Sequence, residues 1–137
     1  MNKSKNVKVP SDDEFWALVT LANEDFDAFT KTLERMDRGA LIAFAWKFEQ
    51  LAGILYDDEY LQHLNFENEL SEDYLEDLCG WIVGKGKVFY EDIINHPEKM
   101  PTELDDTEPG ISIQFEASQI YFDRYGEEMP PWEEIID

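Results

Sequence analysis

The sequence predicts an all-α fold, a single compact bundle of about six to seven helices. Three observations predict it. Apolar residues recur at helical spacing, most cleanly as Leu41, Phe44, Phe48, Leu51 and Leu55, separated by 3, 4, 3 and 4 positions. Helix-start chemistry precedes such stripes, as in Ser11-Asp12-Asp13-Glu14 and Ser71-Glu72-Asp73. No alternating run is long enough for a strand; Ile111-Ser112-Ile113 is the best and is too short.

Residues 1–10 read as a flexible basic arm closed by Pro10, and residues 11–137 as one helical domain. Ser11 and Glu14 form a capping box, with Phe15, Leu18, Val19 and Ala22 on the helix behind it. A turn near Asn23 leads to a second helix striped by Phe26, Phe29, Leu33 and Met36. Asp37 caps a third, whose stripe is widened by Ile42, Ala45, Ala52 and Ile54, so it is expected to be central. Residues 56–70 permit a helix capped by Asp57 or Asp58, weakened by asparagines and dense acids. Ser71 caps a firmer one, with Leu75, Leu78, Cys79 and Ile82 inward and Gly84-Lys85-Gly86 as its stop. The next helix, about 87–95, buries Phe89 and Ile93 and ends before His96-Pro97. Residues 97–112 form a long acidic loop with three prolines. A last helix from about Ile113 to Tyr125 turns Ala117, Ile120 and Tyr121 inward and ends at Gly126, and Trp132 is expected to dock on the body.

With 137 residues, the chain fits one domain that buries roughly two thirds of its unfolded surface. Hydrophobic residues at 43% and aromatics at 14% separate it from disordered acidic tails. The single Cys79 has no disulfide partner and falls within an apolar pattern, which suits a small buried residue in a reducing compartment. The basic start lacks the apolar run of a secretory signal. No stretch approaches the ~18 apolar residues of a membrane span. The expectation is a soluble cytoplasmic protein.

Charge is the most telling property. The chain has 32 acidic and 11 basic residues, a net charge of −21. Lys3, Lys5 and Lys8 lie in the arm, leaving 32 acids against 8 bases in the rest. Self-repulsion on that scale destabilises a compact state. From Asp57 to Asp77 nine acids occur without one Lys or Arg: Asp57, Asp58, Glu59, Glu67, Glu69, Glu72, Asp73, Glu76 and Asp77. Tyr56, Tyr60, Phe66 and Tyr74 interleave with them and could anchor a partner, or else serve the core. A solvated face explains any one of these acids; the uninterrupted block reads as an electrostatic contact surface. The loop acids Glu103 to Glu108 could extend it. Direct nucleic-acid binding is disfavoured, because phosphates demand a positive patch.

Catalytic signatures are weak. His63 with Glu59 or Glu67 has a metal-compatible spacing, yet such spacing arises by chance among so many carboxylates. His96 suits a helix C-terminus. Gly84-x-Gly86 follows no strand and is a cap, not a phosphate loop. Asp57-Asp58-Glu59 lacks the glycine and alternating ligands of a calcium loop. No cofactor, metal or catalytic residue is expected.

The segment Phe15-Trp16-Ala17-Leu18-Val19, the Leu41/Phe44/Phe48 helix running to Tyr56, Ser71-Glu72-Asp73-Tyr74, Trp81-Ile82-Val83-Gly84-Lys85-Gly86 and Pro97-Glu98 follow in a familiar order. Over about residues 12–100 the chain thereby resembles the bacterial family called domain of unknown function 4240. It departs from that pattern in Glu72, where a small acidic cap is common, and in a shorter link before Ser71. The resemblance implies no activity and transfers no catalytic residue. By analogy of class, small acidic helical proteins often protect bacteria from toxins. The leading expectation is therefore a non-catalytic immunity protein that plugs the basic cleft of a cognate toxin. Its contact residues would be Asp57, Asp58, Glu59, Tyr60, Glu67, Glu69, Glu72, Asp73, Glu76 and Asp77. An adaptor binding through an apolar groove is the second reading, and a carboxylate- or metal-dependent hydrolase the third.

Overall fold

The computed structural model describes residues 9–64, 71–101 and 110–135. Among the described residues eight α-helices follow one another: α1 Asp12–Glu24, α2 Phe26–Glu34, α3 Arg38–Leu55, α4 Asp58–Leu61, α5 Glu72–Gly84, α6 Lys87–Asn95, α7 Gly110–Tyr125 and α8 Trp132–Ile135. A 3-10 turn, Pro97–Lys99, follows α6. The described residues contain no strand, and none of their helices is long and apolar enough to cross a membrane.

Local chemistry sets the helix starts. Ser11 Oγ accepts from Glu14 N while Glu14 Oε1 accepts from Ser11 N, each at 3.2 Å, so two orphan donors are satisfied reciprocally. Asp25, Asp37, Asp57 and Ser71 cap α2 to α5 in the same manner, each side chain accepting from a backbone N–H just inside its helix. Gly86 leads into α6 with φ at +111°, and Gly126 ends α7 at +71°, two places where side chains other than glycine's would be strained.

Packing follows the apolar stripes. α3, α5 and α7 pack on one another as the central triangle, with α1 and α2 as a pair beside them. Phe15 of α1 reaches across to α3, its ring 5.4 Å from Phe44 and 6.0 Å from Phe48, and Phe29 of α2 lies 5.9 Å from Phe44. These four rings are essentially inaccessible to solvent. Trp132 stacks on Trp46 at 5.2 Å and so fastens α8 to α3.

Side chains also tie up loose helix ends. Arg124 Nη1 donates to Met36 O at 2.7 Å and its Nη2 to Glu34 O at 2.6 Å, covering carbonyls that α2 leaves unpaired. Asn23 Nδ2 donates to Gly84 O at 2.8 Å, doing the same for α5. Tyr90 Oη donates to Leu51 O at 2.7 Å, locking α6 onto α3.

Four details differ from the sequence reading. Tyr90 is core, 5% exposed, while Phe89 is only half-buried. Ile54 does not widen the buried stripe; it is 52% exposed, because α3 meets its neighbours on the Leu41–Leu55 side. α7 begins at Gly110, three residues earlier than expected. The region after Tyr56 forms only the single turn of α4 before residues 65–70, which lie outside the described residues. Most of the expected arm, residues 1–8, and of the acidic loop, residues 102–109, also lie outside them.

Candidate functional site

The anionic residues singled out from the sequence divide between two supports. Asp57, Asp58 and Glu59 are exposed at the start of α4, whose main neighbours are α3 and the Pro97–Lys99 turn. Glu72, Asp73 and Glu76 are exposed on α5, and Asp77 is half-buried there. Glu67, Glu69 and Phe66 lie outside the described residues, as do the loop acids Glu103 to Glu108. Tyr60 is not presented to a partner. It is 5% exposed and its Oη donates to Ile94 O at 3.3 Å, so it anchors α4 to α6. Its hydroxyl is pushed upward by burial and then by Glu59 and Asp57.

Helix electrostatics account for part of this charge. Glu72 and Asp73 occupy the first turn of α5, where partial positive charge on unpaired N–H groups favours carboxylates. Glu76 and Asp77 lie beyond that turn, where the benefit fades. Each instead faces a like charge four residues back, Glu72 and Asp73 respectively. Such i,i+4 pairs cost roughly 0.2–0.5 kcal/mol each. None of Asp58, Glu59, Glu72, Asp73, Glu76 and Asp77 has an ion-pair partner among the described residues.

A cleft of about 370 Å³ opens beside this face, between α3, α5 and α7. Glu49, Ala52, Gly53 and Tyr56 supply one wall, at i, i+3, i+4 and i+7 along α3 and its cap. Glu76 and Cys79 come from α5, and Gln114 from α7. No basic residue lines it among the described residues. Partial burial and the Glu133 carboxylate on α8 push the Glu49 carboxyl above its ordinary range. Partial burial, Glu72 and Glu76 push the Tyr56 hydroxyl up. The Cys79 thiol, 1% exposed, is pushed up to about 12 by burial and then by Glu76. A thiol so held is no nucleophile at neutral pH. The cleft therefore resists added negative charge at each of these three groups.

Gln114 carries the odd feature of this cleft. Its Oε1 is buried with no hydrogen-bond partner among the described residues. It fits there because residue 80 is glycine: a Cβ on Gly80 would run into the Gln114 carboxamide. Sequence reasoning missed the cleft, whose walls come from residues 49–56, 76–79 and 114. The available signal was Gly80 inside a helical pattern, which marks a close approach.

A groove of about 540 Å³ between α1, the end of α2 and the start of α3 is lined by Pro10, Leu18, Leu21, Met36 and Phe44, among others. His63 is exposed, and no set of three or more His, Cys, Asp or Glu side chains is placed to hold a metal among the described residues. His96 sits at the end of α6 with Nδ1 3.7 Å from Glu98.

A small all-α domain with an acidic helix face and an anionic cleft is the class these observations define. The chain belongs to the DUF4240 family, a protein of unknown function, whose family model matches residues 11–125. That match includes the whole central triangle and stops at the end of α7, before the tail that carries Trp132. No curated protein and no solved structure matches the chain.

Proposed function

We propose that this protein is a non-catalytic binding protein of the bacterial cytoplasm, an immunity-type inhibitor that covers the basic active-site cleft of a cognate toxin. One observation carries the reading. Glu76 and Asp77 sit past the turn where the helix dipole rewards acids, face like charges at i−4, and have no cation opposite among the described residues. A fold that only needed solubility gains nothing from stacking carboxylates in that way. Covering by lysines and arginines of a partner turns the repulsion into attraction and speeds encounter.

The test uses a candidate basic toxin. Inhibition of that protein is measured with the wild type and with Glu72→Gln, Asp73→Asn, Glu76→Gln and Asp77→Asn combined. The reading expects the combined variant to stay folded and lose inhibition by at least about tenfold. Unchanged inhibition would remove the acidic face from the function.

The apolar groove at Leu18, Leu21 and Met36 favours a second reading, an adaptor that docks an apolar segment there. That reading expects affinity nearly independent of salt and abolished by Leu18→Asp.

A further inference from the structure

We infer that residues 126–134 form a releasable strap over the seam between α3 and α7, held down by Met129 and Trp132 and pushed off by like charge. Opening the strap uncovers Ile42, Trp46 and Tyr121 beside the Arg38 guanidinium, so ionic conditions set access to that surface.

The strap closes a small core of its own. Ile42 and Tyr121 are fully buried, and Met129 and Trp132 pack on this pair. Their cluster is distinct from the main core around Phe15, Phe44 and Phe48, which Met129 also touches. Trp132 lies on Trp46 with ring centroids 5.2 Å apart and planes at 27°. Arg38 Nε donates to Tyr121 Oη at 2.8 Å, which puts a cation at the edge of the covered surface. The strap leaves α7 through Gly126 at φ +71°, a hinge position where glycine meets no steric cost. Pro130 and Pro131 stiffen the span up to Trp132. The strap also lies beyond residues 11–125, which the family model matches.

No polar tie reinforces this apolar grip. Among the described residues no side-chain hydrogen bond or ion pair joins residues 127–134 to the helices beneath. The backbone bonds of the strap are local, from Gly126 N to Phe122 O at 2.8 Å and from Glu134 N to Pro131 O at 3.0 Å. The entry into α1 is built differently, since Lys47 donates there to both Pro10 O and Asp12 Oδ1. Charge opposes closure. The strap carries Glu127, Glu128, Glu133 and Glu134 and no cation. Glu133 follows the stacked Trp132 directly, and it repels Glu49, which lies one turn along α3 from Trp46. Bringing the two rings together therefore brings two carboxylates together. Attraction and repulsion over the same few residues make a two-position element, and salt weakens only the repulsion.

The experiment follows the indole N–H signals of the full chain by NMR. Trp46 and Trp132 report on the seam, while the buried Trp16 and Trp81 report on the main core. Trp132→Ala should shift the Trp46 signal, leave Trp81 in place and so define the open position. In the wild type, salt raised from about 0.01 M to about 1 M shortens the Debye length from about 30 Å to about 3 Å. That change should draw Trp46 away from the open position and cut the open fraction by about two- to fivefold. The Ile42 methyl and Tyr121 ring signals should move with it. Glu49→Gln and Glu133→Gln should each produce this closure already at low salt. A Trp46 signal unmoved by Trp132→Ala would overturn the inference, as would one salt response shared by the wild type and both glutamine variants. Trp16 and Trp81 shifting in step with Trp46 during the salt titration would overturn it too, because the seam would then open only with the whole fold.

Discussion

Along α2 and α6, carboxylates stand one turn from lysines. Asp27 lies 2.9 Å from Lys31, and Glu91 3.7 Å from Lys87. Along α5 they stand one turn from each other, Glu72 from Glu76 and Asp73 from Asp77, with no lysine or arginine before Lys85. The contrast extends to burial. Lys47, only 14% exposed, holds the start of α1 by donating to Pro10 O at 3.1 Å and Asp12 Oδ1 at 2.6 Å. Beside α5 the exposed Glu49 has another acid, Glu133, for a neighbour. The same chain thus follows ordinary charge pairing on one side and abandons it on the other. The like-charge pairs on α5 cost the fold a little stability that the paired carboxylates on α2 and α6 do not.

The largest expected effect tests the structural side of this contrast. Phe15→Ala should remove about 3–5 kcal/mol of unfolding free energy in denaturant melts, since it empties the ring cluster joining α1 to α3. A loss well below 1 kcal/mol would show that the α1 face does not hold the bundle together.

Tyr90→Phe comes next. It removes the 2.7 Å hydrogen bond to Leu51 O and should cost about 0.5–1.5 kcal/mol by the same measurement.

Charge reversal of sign in the response sharpens the comparison most. Glu76→Gln with Asp77→Asn should stabilise the protein by roughly 0.4–1 kcal/mol, because two like-charge pairs disappear beyond the reach of the dipole. Lys31→Gln, on the paired side, should destabilise by roughly 0.2–0.5 kcal/mol. If both changes destabilise, the α5 acids are structural and the distinction fails.

The smallest effect is a pH dependence with opposite signs on the two sides. The Lys47 hydrogen bond and charge hold Asp12 below its ordinary range. Its contribution is present above the unfolded value of 3.8 and is lost as pH falls through the lowered value. Glu49 is held above its ordinary 4.5, so the folded state keeps its proton longer than the unfolded chain. Its contribution is present below 4.5 and lost as pH rises through the raised value. Glu49→Gln should therefore raise the Tm at neutral pH and flatten the melting curve's pH dependence just above 4.5. Asp12→Asn should lower the Tm at neutral pH and leave it unchanged in strong acid.

Helix starts were legible because capping is local: Ser11 with Glu14, Asp37 and Ser71 each announce themselves within four residues. The α3 stripe was legible because eighteen residues repeat one period five times over. The Asp57 cap of α4 was legible too, but its extent and buried face were not, since a four-residue helix has no period to read, and that is why Tyr60 passed for a surface anchor. The cleft was illegible for a different reason. Glu49, Glu76 and Gln114 are brought together only by the packing of three helices, and nothing local links them. Glu76 alone belongs to both the acidic block read from the sequence and the cleft found in three dimensions.

Association kinetics with the cognate toxin test the central claim most directly. If the unpaired α5 face exists to meet a cationic surface, the association rate of the wild type should fall steeply as salt shortens the Debye length from about 30 Å at 0.01 M to about 8 Å at 0.15 M. The variant neutralised at Glu72, Asp73, Glu76 and Asp77 should start slower and show a nearly flat profile. Superimposable salt profiles for the two proteins would contradict the claim.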